Sequence, residues 1–555
     1  MSMDGSPKDD AATPAASSRP AAEVANDELA PVKAFWAVKV KKQPPPETAH
    51  EIRTRQLIIL SFWAIVLVFG IPIWWRTTTI YRAKLPLDRM MDWAEGRVGY
   101  CLAHLLPAHS NIQQACRPVF PLKISIDPGS LQPSEAQHLL RSTQHALDDL
   151  NDFSGHHLRL QLAPPTNITN SPHEFPTSAT DTDEEVALLI RLLPGQTPDA
   201  VLQKYEPTLD IYYTPQQIPS SSSSSPTLAT FIATQLRTLF TSEQDTISYL
   251  LSTSSNPPDP KSAKSLSPEV RSALAKRQTR SLKYSRTYHL TFSLFTPSAE
   301  PSSWEIQGAL EEFMVPLLHS LGGISNFTID TQVQLYATPG VTGPVLRKED
   351  LSSFINAAEW PLSPGIGGAP TINFIVYIGD MEVEGGAKSW LIPQWGGVVI
   401  QPDVRDLEGA MLTFSHQLLL LLGAPVERTE GMTSLPLKLT TLSRVRSAEL
   451  LLRASSTLGS LARLTLALPS ISIPPSVAEG VQTTLEHLEL ACGRLGGKEG
   501  LEHARIAEEA AERAFFEKSM VGQVYFPDEH KVAVYLPLLG PVGVPLVMGV
   551  VKEVA

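Results

Sequence analysis

Two apolar runs stand at opposite ends of this chain, with amphipathic and polar segments between them. The first is Leu57 to Trp75 (LIILSFWAIVLVFGIPIWW) and the second is Val532 to Val551 (VAVYLPLLGPVGVPLVMGVV). Each holds about 20 residues without a charge, enough for a helix to cross a hydrocarbon core of roughly 30 Å. The expectation is two transmembrane helices, over residues 53–76 and 531–552. Two spans would put both termini on one side of a membrane and the intervening block on the other.

Inside the block the apolar period changes repeatedly. After the first span, Leu85-Pro86-Leu87-Asp88 leads into a helix expected to reach about His104. Short strands are expected at Lys123–Ile126, Leu158–Leu162, Val186–Leu193, Leu209–Tyr213 and Tyr288–Phe295. Others follow at Thr328–Tyr336, Ile372–Ile378 and Val398–Ile400, from alternation or from continuous apolar runs. Helices are expected at Ser134–Asn151, Thr227–Phe240 and Trp304–Leu321, the last kinked at Pro316. Asp406–Leu422 is apolar on most sides and reads as a buried helix. From about Leu437 to Phe516 the pattern is helical throughout, broken at Pro469, Pro474 and Pro475.

The resulting fold class is an α/β lumenal domain over residues 77–425, then a helical region over 426–524, flanked by two transmembrane helices. Residues 1–52 are rich in Ala, Pro, Ser and charge and read as a disordered cytosolic tail. Pro219–Pro226 and Ser254–Lys264 read as surface loops.

Composition narrows this little. Hydrophobic residues make up 43%, ordinary for a folded chain, and the net charge of −12 gives no support to nucleic-acid binding. The three cysteines are too few for a disulfide-built scaffold. The first apolar run is too long, and too far from the N-terminus, for a secretory signal. Basic residues flank it almost evenly, so charge orients the chain weakly. The sequons Asn167-Ile168-Thr169 and Asn326-Phe327-Thr328 both lie between the spans, and use of either would make the block lumenal. In an oxidising lumen Cys101 and Cys116 would either close a short disulfide loop or remain two buried thiols.

Candidate chemistry is sparse. Asp181-Thr182-Asp183 is a DxD triplet, which in a lumenal enzyme would hold Mn²⁺ against a nucleotide sugar, so a membrane-tethered glycosyltransferase is the alternative function. The triplet sits in an acidic Ser/Thr/Pro-rich stretch, where a solvated loop is the simpler reading. Cys492 and His416 are the residues to weigh for thiol chemistry, but both lie on apolar helical faces and read as core positions. No nucleophile elbow, zinc helix, phosphate loop or dinucleotide fingerprint occurs. No catalytic, cofactor-binding or metal residue is assigned. In the second span Pro537, Pro541 and Pro545 recur among Gly540, Gly543 and Gly549. Prolines free helix carbonyls and small residues admit a neighbouring backbone, so Pro537, Gly540, Pro541, Gly543 and Pro545 are candidates for packing against partner helices.

Several blocks resemble one family. Tyr525-Phe526-Pro527-Asp528-Glu529-His530-Lys531, followed by Val534-Tyr535-Leu536-Pro537-Leu538, looks like the C-terminus of PIG-S proteins. Trp304-Glu305-Ile306-Gln307-Gly308-Ala309, Ser325-Asn326-Phe327-Thr328-Ile329-Asp330-Thr331-Gln332 and Pro393-Gln394-Trp395-Gly396-Gly397-Val398 agree, as does Leu85-Pro86-Leu87. The resemblance runs from the first span to the last and excludes the N-terminal tail. It implies a non-catalytic subunit of the GPI transamidase complex, an endoplasmic reticulum membrane protein with a large lumenal domain. It further implies that the nucleophile belongs to a separate caspase-like subunit, PIG-K, with PIG-T, PIG-U and a Gaa-type GPI anchor attachment protein as other partners. No cofactor is implied. Asn326 lies inside a matching block and is the modification site the resemblance carries over; Asn167 rests on its sequon alone.

Overall fold

The computed structural model describes residues 48–78, 81–96, 120–153, 155–163, 186–218, 227–253, 265–341, 343–356, 368–425, 434–469, 471–520 and 528–554. The chain divides into two compact units. One is Thr78–Pro537; the other combines Met1–Thr77 with Leu538–Ala555.

The terminal unit contains helices α1 (Ala49–Ile65) and α2 (Ile71–Thr78), joined without a break by a π turn at Val66–Gly70. A capping box starts α1: the Thr48 backbone N–H donates to Glu51 Oε2 at 2.8 Å.

The large unit starts with α3 (Leu87–Ala94), which ends in a turn at Glu95 and Gly96, short of the helix expected to reach about His104. It then builds a first five-stranded sheet. The elements are β1 (Phe120–Asp127), α4 (Pro133–Leu150), β2 (His156–Leu162), β3 (Val186–Pro194), β4 (Asp199–Leu202) and β5 (Thr208–Tyr213). The strand order is β2-β1-β3-β5-β4, parallel except where β4 pairs antiparallel with β5. Alternation in β1 decides which face is covered. Leu122, Ile124 and Ile126 enter a core with α4 and α5 (Thr227–Thr253), while Lys123, Ser125 and Asp127 belong to the other face.

Helix α6 (Pro268–Arg280) leads into a second five-stranded sheet. In chain order the elements are β6 (Thr287–Phe295), α7 (Ile306–Ala309), α8 (Val315–Leu321), β7 (Asn326–Gln334), β8 (Val345–Leu346), β9 (Thr371–Ile378), β10 (Glu382–Val383), β11 (Ser389–Ile392) and β12 (Gly396–Gln401), with β8 and β10 pairing as a separate two-stranded sheet. Here the order is β11-β12-β9-β6-β7, again parallel except for the β11–β12 hairpin. Read from the opposite edge, this is the order of the first sheet. In both, the second strand lies outside the first, the third lies inside it, and the last carries an antiparallel strand on its edge. A helical crossover joins the first two strands in each, and a helix follows the last: α5 in one case, α9 (Leu407–Leu421) in the other. The α/β region expected as one domain is therefore two sheets of the same topology.

The helical region does not stand apart. Helices α10 (Leu435–Ala467), α11 (Pro475–Gly493) and α12 (Lys498–Phe515) share one hydrophobic core with the second sheet, α3 and α9. Leu437, near the start of α10, instead packs into the first sheet's core, so this helix serves both. The breaks expected at Pro469 and Pro474–Pro475 separate α10 from α11. Beyond them, α13 (Asp528–Val554) carries the second apolar run.

Pro316 distorts its helix as expected, but through a π turn at Leu310–Met314 that ends two residues before it. A proline lacks an N–H and crowds the carbonyl four residues back, and the wider turn accommodates both. Trp304 packs on the core just ahead of this helix. Gly396 and Gly397 begin β12, and the reason is space. A Cβ at Gly396 would strike the Asn373 backbone, and one at Gly397 the Gln417 side-chain amide. The pattern did not reveal α6, β4, β8, β10 or β11.

Candidate functional site

The terminal helices are the first feature with functional geometry. Ala49–Ile73 is long and apolar enough to cross a membrane, with mean hydropathy 2.4 and none of its most apolar stretch buried. Leu57, Leu60 and Trp75 are each about two-thirds exposed. Apolar side chains displayed this way along a helix belong against lipid or another protein. In α13 the apolar run divides into Ala533–Pro541 and Gly543–Lys552, bent by 47°. It has the length of one span only if the two halves are taken together. The proline series explains the bend: each ring removes a helix hydrogen bond, and Gly543 offers no side chain to stiffen the turn. A Cβ added at Gly540 or Gly543 would meet nothing within 4 Å, whereas one at Gly549 would lie 3.8 Å from Ile59 Cδ1. Within this unit the second run thus meets the first at Gly549, and leaves Gly540 and Gly543 facing open space among the described residues.

In the large unit the most concentrated charge chemistry is internal. Glu243 on α5 receives Arg444 Nε and Nη2 at 2.7 Å each and the Thr441 hydroxyl at 2.7 Å. His156 Nε2, from β2, lies 3.4 Å from the same carboxylate. All four residues are buried. Burial pushes the Glu243 carboxyl up, but the Arg444 charge and hydrogen bonds, with those of His156, overcome this and hold it well below the usual carboxylate range. The charge is satisfied and enclosed, so the group acts as a clamp between α5 and α10. It is not accessible to a substrate. The sequence showed no sign of it, because the partners lie about 200 positions apart.

The sequence candidates are scattered. Asn326 is the exposed first residue of β7, at the edge of the second sheet, and its N–H donates to the Arg286 carbonyl at 2.8 Å. His416 is exposed on α9, which corrects the expectation of a core position: α9 buries one stripe and leaves Leu412 and His416 outside. Cys492 is buried in the shared core as expected, but it is also disulfide-bonded. Cys101, Cys116, Asn167, Asp181 and Asp183 themselves lie outside the described residues.

Comparison with known proteins decides the family. The chain matches the family PIG-S, Phosphatidylinositol-glycan biosynthesis class S protein, over residues 61–555. It belongs to the PIG-S family. Among curated relatives, the human GPI-anchor transamidase component PIGS is 31% identical over 335 residues, covering 51% of this chain and 60% of that protein. The Schizosaccharomyces pombe GPI transamidase component PIG-S homolog is 26% identical over 537 residues, covering 90% of this chain and 84% of that protein. The Saccharomyces cerevisiae GPI transamidase component GPI17 is 28% identical over 319 residues, covering 49% and 59%. The chain therefore spans about 60% of the human and budding-yeast relatives' length. As a PIG-S family member it carries both apolar runs largely or wholly inside the matched region, since that begins at residue 61 within α1. Three of the blocks that carried the resemblance fall at structural junctions of the second sheet: the entry to α7, strand β7, and the start of β12.

Proposed function

We propose that this chain is a non-catalytic subunit of the GPI transamidase complex, which attaches GPI anchors to precursor proteins in the endoplasmic reticulum. The PIG-S family match across residues 61–555 carries the proposal, together with relatives that are named as components of that transamidase. In this reading α1–α2 and the bent α13 are two membrane spans, both termini are cytosolic, and the two-sheet unit is lumenal. The lumenal placement agrees with Asn326, whose sequon is exposed at a strand end where a glycosylating enzyme would reach it.

The non-catalytic role is supported by what the residues weighed for chemistry do. The Cys492 sulfur is already bonded and buried, so it is no thiolate, and the buried Glu243 is fully engaged by Arg444 and Thr441. The partners are the caspase-like PIG-K, PIG-T, PIG-U and the Gaa-type GPI anchor attachment protein. Part of the contact lies in the membrane, where Pro537, Gly540, Pro541, Gly543 and Pro545 form the packing surface. A Cβ at Gly540 or Gly543 would find open space on this chain, which is room for another backbone.

Purification of the tagged chain at native expression in mild detergent tests the assignment. A caspase-like protease and the other subunits should co-purify, and isolation of the chain alone would overturn it. Gly540→Leu or Gly543→Leu should release the chain from the complex while it remains membrane-inserted. Unchanged co-purification of both variants would remove the packing claim.

A further inference from the structure

Where α6 meets α10, below the start of β6, the large unit encloses a cavity of about 260 Å³. Arg277, Lys283 and Arg446 line it, and the sole acidic residue among its lining residues is Glu449. That carboxylate is taken: Arg446 Nη1 donates to Glu449 Oε2 at 2.5 Å, while Arg446 Nη2 caps the Leu282 and Leu422 carbonyls at 3.1 and 2.8 Å. Among the described residues Arg277 makes a single side-chain bond, from Nη2 to the Thr246 hydroxyl at 3.0 Å, and no carboxylate pairs with it. Arg280, one turn on, has a buried Nε with no hydrogen-bond partner. Burial, then Arg280, then Arg446 push the Arg277 guanidinium down to about 10. All three influences oppose its charge, and nothing among the described residues offsets them.

Partly buried arginines usually face carboxylates, because an uncompensated charge withdrawn from water is costly. The C-terminal end of α6 gives partial compensation, equivalent to about half a charge spread over the last turn. That falls short of two guanidiniums and an ammonium. An anion is the missing component. A guanidinium fork binds phosphate oxygens in bidentate fashion, and Arg277 is the lining arginine without a carboxylate partner among the described residues. The remaining walls include Leu250, Leu274 and Val445. They would cover an organic body attached to the phosphate.

We propose that this cavity binds a phosphate group, with Arg277 as its principal ligand and Lys283 as the second cation of its lining. The proposal does not rest on the subunit assignment.

The test is calorimetric titration of the full chain in detergent micelles, at constant ionic strength, with inorganic phosphate and separately with O-phosphoethanolamine. One saturable site is expected. Arg277→Gln should weaken it at least tenfold and Lys283→Gln by a smaller factor. Arg277→Lys, which keeps the charge but loses the fork, should fall between, and it serves as the readout if the glutamine variant folds poorly. Arg463→Gln, on the outer side of α10 with a hydroxyl partner only, should bind like the parent. Tighter binding of inorganic phosphate would identify a free-phosphate site, and tighter binding of the ester a site for a phosphorylated headgroup. Either outcome supports the proposal. No saturable binding of either probe, or equal affinity in the parent and both Arg277 variants, would overturn it.

Discussion

The two sheets share a strand order and differ in what covers them. In the first, one face packs on α4 and α5, and the other presents Lys123, Ser125, Gln161, Arg191 and Asp210. That second face is held by polar bonds: Arg191 grips Asp210 at 2.6 and 2.9 Å, and Gln161 donates to the Ser125 hydroxyl at 3.0 Å. In the second sheet both faces are apolar over much of their length. Leu290, Phe292, Ile372 and Phe374 point into the core shared with the helices, while Phe295, Ile375, Tyr377, Val398 and Ile400 meet Phe354, Leu346 and Val383 on the opposite side. One topology thus supports either a half-covered or a doubly covered sheet, and the side-chain period along the strands selects between them.

Six substitutions would break or sharpen this contrast. The largest effect is expected at the clamp, because α10 supports both sheets. Arg444→Leu strands the Glu243 carboxylate without its main partner and should cost about 3–5 kcal/mol in denaturant unfolding. A loss under about 1 kcal/mol would mean that the two halves do not depend on this contact. Next is Ile375→Ala, in the second face of the second sheet, at about 3 kcal/mol. The corresponding face of the first sheet should be far more tolerant, so a comparable loss from Lys123→Ala would contradict the distinction.

The helical cover over the second sheet supplies a pH-dependent effect. Burial raises the Glu508 carboxyl to about 7, although Arg453 stands 2.8 Å away. A carboxyl whose folded value lies above its unfolded one favours the folded state when protonated. Its ionisation costs stability as pH climbs from about 4.5 through about 7. Glu508→Gln should therefore melt with the parent near pH 5 and above it at pH 8. A gain at pH 5 equal to that at pH 8 would rule out ionisation as the cause.

The smallest effects form a matched pair. Thr291 in β6 is buried with its hydroxyl unpartnered among the described residues, whereas buried Ser125 in β1 is bonded. Thr291→Val should gain about 1 kcal/mol and Ser125→Val lose about 1 kcal/mol. Two changes of the same sign would show that the hydroxyl bonds do not distinguish the faces.

Much of this was legible along the chain. The nearly continuous apolar run of β9 and the alternation in β1 are direct consequences of covering two faces or one. The proline breaks around α11 are local rules. What escaped was either short or distant. Strands β4 and β11 are four residues each and exist because β5 and β12 offer an edge to pair with. Helix α6 is polar nearly all round and has no buried residue, so no apolar period marks it. Neither the Glu243 clamp nor the Arg277 cavity has any local signature. The terminal apolar runs were the most readable by composition, and the PIG-S resemblance was carried by the block before and into the second run together with blocks in the second sheet. The bend in α13 follows from its prolines, but the open space at Gly540 and Gly543 is a property of the folded chain.

The π turns have a further consequence. Val66–Gly70 ends two residues before Pro72, just as Leu310–Met314 ends two residues before Pro316. A π turn holds about one residue more than an α turn. It therefore works as an angular offset, swinging everything downstream by about 100° at the cost of one amino acid. In the first apolar helix this sets the azimuth of Ile71, Ile73 and Trp75 relative to Leu57 and Leu60. Removing a single residue from Val66–Gly70 would leave the helix apolar and nearly as long, yet aim its two ends in a different mutual direction.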